Sequence, residues 1–172
     1  MDLLDYLPTI PDFPRPGVMF RDISPLLADR QAFAEAIGQL NQLSQFCEFD
    51  YLLGIESRGF IFAAAMASQG RAGLIMARKR GKLPVATYSE PYGLEYGNDA
   101  LEIEESILPK NARVLLVDDV LATGGTLNAA AALVSRCGAT VSGALVLLEI
   151  SALHGGQTLA QHGIMHRSLL II

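Results

Sequence analysis

The stretch Val114-Leu115-Leu116-Val117-Asp118-Asp119-Val120-Leu121-Ala122-Thr123-Gly124-Gly125-Thr126 joins an apolar run to an acidic pair and a glycine turn. The continuous run Val114 to Val117 has the composition of a strand buried on both faces, as in a parallel sheet. The turn opens a helix whose inner face is Leu127, Ala130, Ala131 and Val134. In open parallel sheets ligands sit beyond the carboxyl ends of the strands, where a strand gives way to a helix. Adjacent Gly124 and Gly125 let consecutive backbone N–H groups converge on one point with no Cβ in the way. The helix N-terminus adds partial positive charge, and Thr123 and Thr126 add hydroxyl donors. Ala122 to Thr126 is therefore a candidate cradle for a monophosphate. No Lys follows the glycines and the spacing is not G-x-G-x-x-G, so nucleoside triphosphate and dinucleotide readings lose support. Asp118 and Asp119 would repel an anion unless they accept hydrogen bonds; the hydroxyls of a ribose would supply the donors. The bland alternative is that the pair only caps or solvates the turn.

Outward from this turn the chain alternates strands and helices. Tyr51 to Ile55, Ala72 to Ala77, Arg113 to Val117, Thr140 to Leu148 and Ser168 to Ile172 read as strands. Helices are expected from Asp29 onward (Phe33, Ala36, Ile37, Leu40, Leu43 and Cys47 recur at helical spacing), from Phe60 to Ser68, and from Thr126 to Arg136. Leu101 to Glu104 alternates like a partly exposed strand. This order predicts an α/β fold, a mainly parallel twisted sheet flanked by helices, in a single domain over residues 1–172. Residues 8–25 hold five prolines, which predicts an extended arm without helix or central strand. Residues 78–98 show no periodicity and read as a long functional loop.

The composition, 51% hydrophobic with net charge −5 over 172 residues, suits one packed domain and disfavours non-specific nucleic-acid binding. Against that acidic background Arg78, Lys79, Arg80 and Lys82 cluster, as cations aimed at a small anion would. Cys47 and Cys137 have no metal-ligand or redox spacing and read as thiols in a reducing compartment. The N-terminus lacks the basic residues of a signal peptide, and no apolar run has the length of a membrane span, so a cytoplasmic protein with no membrane partner is expected.

Asp-Asp-x-x-Ala-Thr-Gly-Gly-Thr after four apolar residues resembles the phosphoribosyl pyrophosphate (PRPP) signature of the type I phosphoribosyltransferases. Three further stretches, Asp12 to Pro25, Gly54 to Phe62, and Arg78 to Pro84 with Leu94 to Gly97, are similar to the adenine-specific branch of that family. The resemblance implies transfer of adenine onto PRPP, giving AMP and pyrophosphate in purine salvage, with Mg²⁺ held mainly through PRPP and water rather than by direct protein ligands. It implies that Ala122, Thr123, Gly124, Gly125 and Thr126 hold the 5-phosphate and that Asp118 and Asp119 meet the ribose hydroxyls. Glu56, Ser57, Arg58 and Gly59 would form the pyrophosphate loop, joined by Arg78 and Lys82. In the family the residue matching Arg78 tends to come from the partner subunit, which implies a homodimer. An arm at about 8–28 would hood the base, with Phe13 and Met19 near the ring, Met19 and Arg21 reading its edge, and Val120 on its other face. Glu95 and Tyr96 would sit on a mobile closing loop at about 78–98, with Glu95 as acceptor of the base proton. The catalytic set would be Glu95, Arg58 and Lys82.

Departures from the family pattern are mild: Ala63 stands where Gly is common, and the C-terminus lacks aromatic residues. Two rivals remain at this level. One is a regulator that senses PRPP without catalysis, which would need a DNA-reading element that this acidic, proline-led sequence does not display. The other is transfer to another base, since spacing does not reveal pocket shape.

Overall fold

The computed structural model describes residues 1–70, 72–93 and 99–172, which form two compact units, Met1–Gln39 and Leu40–Ile172. In the first, strands β1 (Thr9–Ile10) and β2 (Phe20–Arg21) pair antiparallel, followed by helix α1 (Ser24–Ala28) and helix α2 (Arg30–Leu43), which runs into the second unit. The arm therefore carries regular structure that its prolines argued against. Pro25 sits in the first turn of α1, where its missing N–H is not needed. Asp29 starts α2 by accepting from the N–H groups of Gln31 and Ala32, both at 2.9 Å.

The second unit is a seven-stranded sheet in the order β5-β6-β4-β3-β7-β8-β9. Its strands are β3 (Tyr51–Ile55), β4 (Gly73–Lys79), β5 (Thr87–Pro91), β6 (Ala100–Glu104), β7 (Arg113–Leu121), β8 (Thr140–Glu149) and β9 (His166–Ile171). The pairs β4·β3, β3·β7, β7·β8 and β8·β9 are parallel; β5 and β6 extend the sheet antiparallel. The mainly parallel sheet is as expected. Its helices are α3 (Gly59–Ala67), α4 (Gly125–Arg136) and α5 (Gly155–Gln161).

Strand alternation assigns the two faces. Leu53, Ile55, Val114 and Leu116 share one buried cluster with Leu127, Ala130, Leu133 and Val134 of α4. Gly54 points the other way, toward α3: a Cβ there would lie 2.9 Å from the Cβ of Ala63. That close approach seats α3 directly on the sheet.

Several expectations need correcting. β7 continues past the expected end at Val117 to Leu121, so Asp118, Asp119 and Val120 are strand residues and Leu121 ends the strand rather than opening the turn. Within the long loop, Arg78 and Lys79 end β4 and residues 87–91 form β5. Leu101 to Glu104 is buried on both faces except at its end: Glu102 is buried and its Oε2 accepts from the N–H of Gly81 at 3.0 Å. A carboxylate with a backbone donor can replace an apolar side chain there, which alternation alone cannot reveal. Helix α5 lies between Leu148 and Ser168, where no element was expected.

Candidate active site

The turn Ala122–Gly124 leaves β7 and enters α4. Gly124 holds φ +89°, the left-handed region that favours glycine. Above Gly125 the space is open, with only Thr123 Oγ1 at 3.9 Å from where a Cβ would sit. A recess lined by Asp118 and the residues from Val120 to Leu127 results. It is concave, faced by the first N–H groups of a twelve-residue helix, and suited to a small anion.

A wider cleft adjoins it, lined by Glu56, Ser57, Arg58 and Asp119, with Asp118, Val120, Ala122 and Thr126 shared between the two. Residues predicted on separate segments thus converge because β3 runs parallel to β7, with Gly54 near its C-terminal end paired to Val117, just before the acidic pair. Gly59 makes the approach possible: a Cβ there would stand 2.7 Å from the Val117 carbonyl and 2.9 Å from Asp118 Oδ1.

The acidic pair is deeply placed. Asp118 Oδ1 accepts from the N–H of Asp119 at 2.9 Å. Burial, then the neighbouring Asp119 charge, pushes the Asp118 carboxyl well above the usual carboxylate range. Burial also raises Asp119, opposed by the guanidinium of Arg58, whose Nε lies 2.8 Å from Asp119 Oδ2. Among the described residues that oxygen has no aligned hydrogen-bond partner, and its contact with Arg58 is an ion pair. The Arg58 guanidinium offsets part of the charge of the pair, which eases the entry of a polyanion.

Glu56 is held by the end of β4, through one backbone N–H and one guanidinium. Its Oε2 accepts from the backbone N–H of Lys79 at 2.7 Å and faces Arg78 Nε at 3.4 Å. Lys82 is exposed on the turn after β4 and meets Arg78 through its carbonyl, 3.5 Å from Nη1. Two further residues line the cleft: Lys79, offered by the sequence only as a member of the cationic cluster, and Tyr92, which the sequence did not offer. Burial, followed by the charges of Asp99, Glu56 and Asp118, raises the Tyr92 hydroxyl. Lys79 could have been singled out from the cationic cluster; Tyr92 carried no signal.

In the N-terminal unit Phe13 and Phe20 pack edge to face at 5.1 Å, yet Phe13 is 51% and Met19 59% exposed. Arg21 donates from Nη1 to the Leu7 carbonyl at 3.0 Å, which fixes its side chain. Glu95 and Tyr96 lie outside the described residues.

Residues 24–159 match the model of the phosphoribosyl transferase domain. The chain belongs to the phosphoribosyltransferase family. It is 57% identical over 170 residues to the adenine phosphoribosyltransferase of Polynucleobacter asymbioticus, covering 99% of each chain. Among solved structures, the adenine phosphoribosyltransferase of Thermoanaerobacter pseudethanolicus superposes with a TM-score of 0.94 at 40% identity, over 99% of this chain and 98% of that one. The Saccharomyces cerevisiae enzyme, solved with an imino-altritol bisphosphate and adenine, gives 0.89 at 32% identity, over 98% and 96%. These relatives place this phosphoribosyltransferase in the adenine branch of the family, as the four sequence stretches implied.

Proposed function

We propose that the enzyme transfers adenine onto PRPP, forming AMP and pyrophosphate in purine salvage. The observation that carries this is the junction of the anion recess at Ala122–Thr126 with the Arg58–Asp119 cleft at the ends of two neighbouring strands. The recess suits the 5-phosphate, and the acidic pair suits the ribose hydroxyls. In the reaction the bond from C1 to the base nitrogen forms as the bond from C1 to pyrophosphate oxygen breaks, through positive charge developing on the sugar as in glycoside hydrolysis. Glu56, Ser57, Arg58 and Gly59, with Arg78 and Lys82, face the departing pyrophosphate and neutralise its growing charge. Phe13, Met19, Arg21 and Val120 recognise the base. Glu95, beside Tyr96, takes the proton the base releases. The two compact units act as one catalytic domain.

Mg²⁺ is part of the proposal. An ion that stays bound to substrate phosphates and water needs no dedicated cage of protein ligands. When bound it would supply further neutralisation of the leaving group. A cytoplasmic location is proposed as well; no described helix is long and apolar enough to cross a membrane.

The test is turnover with PRPP, Mg²⁺ and each of adenine, hypoxanthine and guanine. Adenine should be the preferred base, chelation should stop the reaction, and Glu95→Gln should lower kcat. Equal turnover of the three bases would refute the adenine assignment, and full kcat in Glu95→Gln would remove that residue's role.

A homodimer is proposed from an apolar face. Met76 pairs in register with Gly54 and so points to the α3 side, where Ile61, Leu74 and Met76 are 37%, 38% and 45% exposed. Leu74 and Met76 of β4, with Ile61 of α3, a helix that is apolar all round, suit burial against a second copy. Met76→Glu should convert the dimer to monomer in sedimentation velocity. A variant that sediments like the wild type would place the interface elsewhere.

A further inference from the structure

The turn that cradles phosphate does not stand alone; a second layer lies behind it. β8 runs parallel to β7, and the Ile150 N–H donates to the Leu121 carbonyl at 3.0 Å, so the chain leaving β8 is fastened to the last residue of β7. It then makes a short 3₁₀ turn, Ser151–Leu153, and enters α5 at Gly155-Gly156, both buried. A Cβ on Gly155 would fall 2.3 Å from the Ala122 carbonyl oxygen and 2.7 Å from Leu121 Cδ1. From the opposite side, a Cβ on Gly124 would meet the Gly155 carbonyl at 3.1 Å and Thr158 Cβ at 3.3 Å. The two backbones are in direct contact.

The far side of this contact is also fixed. A Cβ on Gly156 would lie 2.7 Å from His166 Cε1 and 2.8 Å from Glu149 Oε1. Glu149 Oε2 accepts from Ser168 Oγ at 2.6 Å and lies 3.1 Å from His166 Nε2. Glu149 ends β8 and His166 starts β9, so their contact ties those two strands together at the level of the α5 entry.

We propose that Gly155 is a positioning residue for the phosphate cradle. Its backbone, backed by Gly156 and the Glu149–His166–Ser168 cluster, sets the height of Ala122–Gly124 and thereby the affinity for the sugar phosphate. Nothing in this layer lines the recess or reaches the cleft, so it acts only through the turn. The inference rests on the reading of Ala122–Thr126 as the 5-phosphate site. A methyl group at Gly155 must move the Ala122 carbonyl by about 1 Å to regain ordinary contact, and displacements of that size at a binding turn cost up to about 100-fold.

The test uses the full-length enzyme and two readouts: calorimetric binding of ribose 5-phosphate, and steady-state KM and kcat for PRPP and adenine separately. Gly155→Ala should weaken ribose 5-phosphate and raise the KM for PRPP by about ten-fold or more, with the KM for adenine and kcat at saturating PRPP within about two-fold. Gly156→Ala displaces only side-chain ends, keeps the protein folded should Gly155→Ala not, and should give a smaller change in the same direction. Folded variants that bind ribose 5-phosphate as the wild type does would overturn the proposal, as would equal losses for PRPP and adenine. Wild-type protein that does not bind ribose 5-phosphate would instead refute the phosphate site itself, and the positioning role with it.

Discussion

Arg58→Ala should lower kcat/KM for PRPP by about 10²–10³-fold, the range seen when a charge-stabilising donor is removed from a reaction centre. Two losses combine. The guanidinium is the proposed donor to the departing pyrophosphate, and it is also the partner of Asp119 at 2.8 Å. Arg58→Lys keeps the charge without the planar fork and should recover only part of the activity. The ion pair predicts a pH signature that catalysis does not. Burial raises the Asp119 carboxyl and Arg58 opposes that rise, so removing Arg58 raises it further. A carboxyl whose folded pKa lies above its unfolded value loses stability as pH climbs through that range. The variant's Tm should therefore lie nearest the wild type's below about pH 4, where the folded state of both proteins keeps the acid protonated. It should fall behind as the pH approaches neutrality. A Tm gap that does not change with pH would mean that the pair contributes nothing to the fold.

Gly59→Ala should lower both stability and activity. The new methyl group would press on the Val117 carbonyl at 2.7 Å and on Asp118 Oδ1 at 2.9 Å, neither of which can yield without moving β7 or the acidic pair. Overpacking of this kind costs about 1–3 kcal/mol. The accompanying shift between Arg58 and Asp119 should cost about 10²-fold in kcat/KM. Gly38→Ala is the control: it lies within α2 with nothing inside 4 Å of the new Cβ, so it should gain roughly 0.5–1 kcal/mol and leave activity unchanged. Urea midpoints and initial rates on the two variants decide the matter. Equal midpoints would show that the α3–β7 contact relaxes freely.

The parts of the molecule legible in the sequence are those written in local pattern. Val114 to Val117 announces a buried strand, and Gly124-Gly125 announces a turn that only small residues can make. What stayed hidden depends on pairing across distance. Thr87 to Pro91 carries no strand pattern of its own and becomes β5 by pairing with β6. Glu102 could not be read as buried without knowing that the Gly81 N–H would meet it. The contact between Arg58 and Asp119 joins segments far apart in sequence that become neighbours only when β3 and β7 align. Tyr92 enters the cleft for the same reason.

The close approach of Gly54 and Ala63, where an added Cβ on Gly54 would stand only 2.9 Å from that of Ala63, has a meaning for anyone seeking to redesign this enzyme. It fixes the separation of helix and sheet with almost no side-chain material between them, so that distance cannot be tuned by trading one residue for a slightly larger one. The strut carries Arg58 at its tip. New substrate preferences will have to be sought in segments that can vary without shifting this joint, and libraries that randomise Gly54 or Ala63 will spend their diversity on inactive clones.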